Sequence, residues 1–394
     1  MKYSAMILGM LLPWYIVRFS VLGIPTNLFE VAAGGVILGW AVRHRTSLRP
    51  LFMKTIQSPR WLGFGVLSVI GVIASDQLID SLGIWKSYFV VPGVLGLIAW
   101  YDESFRKNVV RGVIFSGVVM AGWVLIELIL AQNLQYRPTA WFGFGSDPNL
   151  TQGGFANYIG LYLTPVVFFS LLPGIFSNKR VRVSVVAILI LGILASQSYT
   201  ALGALLLTSG MALGRFLWRR RSHTASQTIL GLSYLVLVLA TGFGAWQLQT
   251  EKFQNLFDMT ERNSVSSRVQ IWHASWEIIQ ENPILGIGHA DFSRVYTEVI
   301  PTLYFPPHEW LVPEPHNLAL AFWIHAGILG VVWLGLIAWK TVKTSLSSQW
   351  LLSLPMVSIL AYGLFDTPFW KNDLAVIFVL AWVVLYGTFE KTKE

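Results

Sequence analysis

The chain has 394 residues; 54% are hydrophobic, only 12% are charged, and none is cysteine. A soluble domain carries roughly 25% charged residues, so the composition excludes an ordinary soluble fold, and the missing cysteines exclude a disulfide framework or a thiolate metal site. The formal net charge of +8 raises nucleic acid as a partner, a question that the placement of the charges answers.

A helix that crosses a bilayer needs about 20 mostly apolar residues. Twelve segments read as spans: 4–18, 26–42, 61–75, 84–101, 109–131, 151–173, 181–196, 199–217, 228–247, 317–339, 350–366 and 373–389. Several are short or interrupted, for instance by Pro92, Pro165 and Pro355. Residues 1–17 resemble a secretory signal, with Lys2 ahead of an apolar run. No small-residue cleavage pattern follows and another apolar segment does, so retention as the first span is expected. The 34 glycines and 18 tryptophans suit close helix packing and interfacial belts. The expected fold class is all-α: a polytopic membrane protein of about 12 transmembrane helices, with one large outer loop that contains helices. Residues 1–247 form transmembrane helices 1–9, 248–316 the large loop, and 317–394 helices 10–12 with a cytoplasmic tail, all in one integrated membrane domain.

With the N-terminus in the cytoplasm, 20 of the 28 lysines and arginines fall at cytoplasmic ends and loops. The short outer loops hold only Arg18, Arg137 and Lys371. Lys86 lies at the outer end of a span, and four more are in the long loop. This alternation follows the positive-inside rule. The basic excess therefore sets topology, both termini are expected in the cytoplasm, and no nucleic-acid partner is implied.

The outer loop 248–316 is long enough to expect function from it. Its stretch "SVSSRVQIWHASWEIIQENPILGIG" (264–288) reads as one helix. Ser267 and Gln270 match a capping box, and Asn282-Pro283 and Gly286 stop it. Val269, Trp272, Trp276 and Ile279 share one face, which predicts an amphipathic helix at the interface. Arg268 lies in the first turn, where it adds positive charge to free backbone N–H groups and favours an anion such as phosphate. A solvated arginine or a pair with Glu261 fits the same local pattern.

His316 follows Glu314-Pro315 and opens span ten, with Asn317 placed to cap the helix and Glu314 placed to orient the ring. Imidazole titrates near neutrality and takes a proton from a hydroxyl; an interfacial histidine bonded to a loop carbonyl would look the same. His289 and His308 read as loop residues, and His325 as a helix-to-helix hydrogen bonder. Glu30 and Glu127, in spans two and five, are ambiguous in the same way. The spacing of His308 and His316 matches no metal motif, so no metal or other cofactor is expected.

In order across one outer loop, "SSRVQIW", "ENPILGIG" and "PHNLALAFWIHAGILG" resemble the O-antigen ligase and polymerase family, best over about 195–340. The outer "FGSDPN" (144–149) and "FWKNDLAVIF" (369–378) share in the resemblance. It implies a bacterial inner-membrane enzyme whose site faces the periplasm. That enzyme moves a glycan, without a metal, from undecaprenyl diphosphate to an acceptor hydroxyl with inversion. The acceptor is a sugar of the lipid A core in ligases and another lipid-linked glycan in polymerases. Carried over by motif, Arg268 is the diphosphate arginine and His316 the catalytic histidine. The family's second arginine, in a Ser-x-Ser-Arg pattern, is replaced by Tyr199 in "SQSYTALGALLL" (196–207). Arg137, Lys86 and Lys371 are candidates to replace it, and Ser198 and Tyr199 can donate hydrogen bonds. A lipid or glycan transporter is the remaining class. It requires ionisable residues at mid-membrane, where this sequence has few.

Overall fold

A computed structural model describes residues 2–21, 24–46, 48–132, 138–139, 152–218 and 261–386, with isolated positions 238, 241, 242, 244, 245, 248, 249, 255 and 258. Arg137, "FGSDPN" and most of the expected span 228–247 lie outside the described residues.

The first helix, α1 (Lys2–Met10), stops where Pro13 enters a 3₁₀ turn over Leu12–Ile16. An antiparallel hairpin follows, β1 (Arg18–Val21) on β2 (Ile24–Asn27), with Arg18 opposite Asn27 and Val21 opposite Ile24. An all-α expectation leaves this hairpin out. Asn27 then caps α2 (Leu28–Arg43), accepting from Glu30 N at 2.9 Å. Next come α3 (Leu48–Ile56), α4 (Pro59–Ile73), α5 (Leu78–Tyr101, π-helical over Trp85–Val90) and α6 (Glu103–Ala131). After these come α7 (Gln152–Phe169), α8 (Lys179–Ser196) and α9 (Tyr199–Trp218).

Four helices among the described residues are long and apolar enough to cross a membrane: α5, α6, Tyr199–Leu217 of α9, and Leu318–Ser345; the bent pair α3–α4 makes a fifth if counted as one span. The other expected spans either fall short of this length and composition or lie in part outside the described residues. The nine residues of α1 rise about 14 Å at 1.5 Å each. Helix α8 carries Lys179, Arg180 and Arg182 in its first turn. The last two helices of the chain are short: α13 (Leu354–Tyr362), entered through a 3₁₀ turn at Trp350–Ser353, and α14 (Asn372–Tyr386). They are nonetheless central. Every residue of α14 from Asn372 to Leu385 is buried, as expected for a helix that is apolar all round.

The segment 261–316 is built on α10 (Ser264–Glu281) and α11 (Phe292–Leu303). It has its own core, where Ile271, Ala274 and Ile278 pack with Phe292, Tyr296, Ile300 and Ile324. This corrects two readings of the helix. The buried face runs through Ile271, Ala274, Ser275, Ile278 and Ile279 and packs on the neighbouring helix α11, while Val269 and Trp276, two of the four residues expected to share the apolar face, are exposed. The capping box is Asn263 with Ser266, not Ser267 with Gln270: Asn263 Oδ1 accepts from Ser266 N at 2.9 Å and Ser266 Oγ accepts from Asn263 N at 3.0 Å. Ser and Asn cap about equally well, so the earlier turn of the chain decides.

The long helix α12 (Leu318–Ser345) is broken at Gly327, with φ 63° and ψ −160°. The "NPILGIG" stretch repairs the break. Ile324 O accepts from Ile287 N at 2.8 Å, Ile328 N donates to Ile284 O at 3.3 Å, and Trp323 Nε1 donates to Pro283 O at 2.9 Å. Backbone groups freed inside a bilayer must find such partners. A Cβ on Gly327 would lie 1.9 Å from Ile284 O, and one on Gly286 2.2 Å from Ile324 O. Both positions therefore need glycine.

Candidate active site

Pro315 and Asn317 make the lip of α12. Asn317 caps the helix, its Oδ1 accepting from Ala319 N at 3.0 Å and Leu320 N at 3.1 Å. Its Nδ2 donates to Leu364 O at 3.0 Å, and Leu318 N donates to Gly363 O at 2.7 Å. Both polar ends of Asn317 are thus engaged, and the start of α12 is sewn to the turn that follows α13. Between Pro315 and the cap, His316 takes a left-handed backbone, φ 50°, uncommon for a residue with a Cβ.

The turn 363–367 brings the two principal candidates together. His316 Nδ1 lies 3.1 Å from Asp366 Oδ1. Arg268 Nε donates to the preceding carbonyl, Phe365 O, at 2.8 Å, and Arg268 Nη1 to Ser264 O at 2.9 Å. Trp272 closes one side. Its Nε1 donates to His316 O at 3.3 Å, and its ring lies 6.1 Å from that of Phe365. Arg268 does not pair with Glu261.

Asp366 is buried. Burial opposes its ionisation, but His316, Arg268 and the Thr367 N–H outweigh it and hold the carboxyl below its ordinary range. An ionised carboxylate only accepts, so Asp366 takes a hydrogen bond from His316 Nδ1, and in the neutral ring that tautomer puts the lone pair on Nε2. Nε2 has no partner among the described residues, and the side chain is one-third exposed. Of the five guanidinium N–H groups of Arg268, Nε and Nη1 make the two bonds above, and Nη2 is unpartnered among the described residues. The arrangement presents a held base and a held cation on one turn.

Glu314 does not orient His316. Its Oε2 lies 3.0 Å from His325 Nε2, and the orienting carboxylate is Asp366, 50 residues further on. Sequence reasoning missed Asp366. The available signal was a lone carboxylate at the end of an apolar run, in a chain with 20 acidic residues.

Ser198 and Tyr199 start α9. Ser198 Oγ lies 3.1 Å from both Asn157 Oδ1 and Tyr362 Oη, one residue before the 363–367 turn; Tyr199 is half-buried. Lys86 pairs with Glu30 at 2.9 Å, and Glu30 also accepts from Asn372 Nδ2 at 3.1 Å. Lys371 Nζ sits 3.1 Å from the centroid of the Tyr158 ring. Burial holds its ammonium below the ordinary value despite the nearby Asp373. Among the described residues neither lysine bonds to the Arg268–His316 group, and Arg137 lies outside them. No group of three or more His, Asp or Glu among the described residues is placed to hold a metal ion.

Residues 184–335 match the family model described as O-antigen ligase. Over this segment, less than half of its length, the chain is similar to that family. The matched stretch contains Arg268 and His316 and ends before Asp366. No curated protein matches the chain. The family carries glycosyltransferase-like activity on lipid-linked glycans, and the apolar helices agree with a membrane protein.

Proposed function

We propose that the chain is an O-antigen ligase-type glycosyltransferase. It transfers a glycan from undecaprenyl diphosphate to a hydroxyl of the lipid A core oligosaccharide, on the periplasmic side of a bacterial inner membrane. The carrying observation is the convergence of Arg268 and His316 on consecutive residues of one turn, Phe365 and Asp366. The distribution of lysine and arginine supports twelve spans, cytoplasmic termini and an outer loop 248–316.

The acceptor hydroxyl gives its proton to His316 Nε2, and its oxygen bonds to the anomeric carbon. The sugar–phosphate C–O bond breaks on the opposite face, so the anomeric configuration inverts. The electron pair leaves with the diphosphate, where the free N–H groups of Arg268 neutralise it. In a site of reduced dielectric that pairing is stronger than in water. Asp366 holds the ring in the tautomer that can accept. Ser198 and Tyr199 are placed to hydrogen-bond the donor near its second phosphate, and Arg137, Lys86 and Lys371 are the cations available for it. No metal or other cofactor takes part in this reading.

The test is incubation of the purified chain with lipid-linked glycan and lipid A core, with products resolved by mass and linkage. A new glycan–core product that inverts the anomeric centre supports the reading. Growth of lipid-linked chains without any core acceptor identifies a polymerase of the same chemistry, and carrier movement without a glycosidic product identifies a transporter.

A further inference from the structure

The outward faces of α4 and α12 enclose an open groove of about 220 Å³, lined by Gly63, Val66, Leu329, Val332, Trp333 and Leu336. Val66, Leu329, Val332 and Leu336 are exposed although large and apolar. Because α12 is long and apolar enough to cross a membrane, the medium against this face is acyl chain. One end of the groove is different. Arg60, in the first turn of α4, lies 4.2 Å from the centroid of the Tyr386 ring, and Lys340 of α12 lies 5.1 Å from the same centroid. Among the described residues neither cation pairs with a carboxylate. Two cations gathered on one ring at the mouth of an apolar trough call for an anionic head attached to an apolar tail. The positive end of the α4 dipole adds to the same field.

We infer that this groove is a binding site for an anionic membrane phospholipid, with an acyl chain along Gly63 and Val332 and the head-group phosphate between Arg60 and Lys340. The site is separate from the Arg268–His316 turn and does not depend on the chemistry proposed there. Gly63 makes the trough: a Cβ at this position meets only Trp333 Cδ1, at an ordinary 3.5 Å. A larger residue there is sterically tolerated and fills the groove.

The purified, delipidated full chain is titrated with phosphatidylglycerol and with phosphatidylcholine of the same acyl chains, and bound lipid is counted by native mass spectrometry. Wild type retains phosphatidylglycerol in preference. Each neutral variant, R60Q and K340Q, lowers phosphatidylglycerol retention by roughly fivefold at low salt and leaves phosphatidylcholine unchanged. G63L lowers retention of both lipids, and the melting temperature of all three variants stays within a few degrees of wild type. Equal retention of the two lipids by wild type overturns the inference. So does a preference for phosphatidylglycerol that survives in the R60Q/K340Q double variant.

Discussion

Two histidines nine residues apart, each beside a carboxylate, have opposite surroundings. His316 touches Asp366 through Nδ1 only and is one-third exposed. His325 uses both nitrogens, Nδ1 on Gly288 O at 2.8 Å and Nε2 on Glu314 at 3.0 Å, and its ring stacks on Trp370 with centroids 4.6 Å apart. It is 1% exposed. The carboxylates differ in the same sense: burial raises Glu314 above its ordinary range against the pull of His325, while Asp366 is held low. A histidine–carboxylate pair is poised for proton transfer when one ring nitrogen is left for a substrate. With both used, it is a fastener. Here it ties α12, just before its break, to the segment that precedes it through Glu314 and Gly288.

The sharpest way to break this contrast is to remove the two groups that have a nitrogen unpartnered among the described residues. His316→Ala and Arg268→Ala are each expected to lower glycan transfer by about 10²- to 10⁴-fold, the usual value of base assistance or of a charge-stabilising donor. Arg268→Ala should leave protein level and melting temperature near wild type, whereas His316→Ala removes the partner of the buried Asp366 and should also lower the melting temperature, so transfer is compared per folded molecule. Either variant transferring at the wild-type rate sinks the site.

His325→Ala is expected to act on stability. It leaves Glu314 buried without its partner and opens a cavity beside Trp370, so a cost of about 3–5 kcal/mol is expected. Thermal unfolding in detergent measures it. Transfer per folded molecule should remain within a fewfold of wild type. A His325→Ala protein of normal stability and no activity would show that the contrast assigns the two rings wrongly.

Asp366→Asn is the next largest effect. An amide can donate to Nδ1 and turn the lone pair of the ring away from the acceptor, so transfer is expected to fall by roughly 10²-fold, with KM nearly unchanged. This variant also carries a pH signature in stability. The folded-state pKa of Asp366 is depressed, so its contribution is fully present above the ordinary carboxylate value of about 3.9 and is lost as pH falls through the lower folded value. Wild type should therefore exceed Asp366→Asn in stability at neutral pH, with the gap closing on acidification. A gap independent of pH would mean that Asp366 is not ionised in the fold.

Much of this was legible along the chain because it is local. Asn317 caps α12 as its position before an apolar run predicts, and the Asn282-Pro283 stop ends α10 after Glu281. Most apolar runs became helices, since burying an unpaired backbone in an apolar medium is prohibitive. What sequence could not supply were partnerships across the fold. Glu314 is two residues from His316, yet the packed bundle gives it to His325 and supplies Asp366 from the far end of α13. The buried face of α10 was misread for a related reason: Ile271, Ala274 and Ile278 are as good a stripe as Val269, Trp272 and Trp276, and only α11 decides between them.

Trp272 gives the finest test of the contrast, because it touches His316 without touching its ring nitrogens. Its indole N–H is bonded to the His316 carbonyl at 3.3 Å and its ring neighbours Phe365. Trp272→Phe keeps an aromatic ring against Phe365 and removes one hydrogen bond, worth about 0.5–1.5 kcal/mol. That bond helps hold a left-handed backbone at a residue that bears a Cβ. Its loss should loosen the ring's approach and lower transfer about two- to tenfold, with donor affinity unchanged. A variant indistinguishable from wild type would mean that the Asp366 contact alone fixes the imidazole. A loss as deep as that of His316→Ala would instead make Trp272 part of the substrate-binding surface.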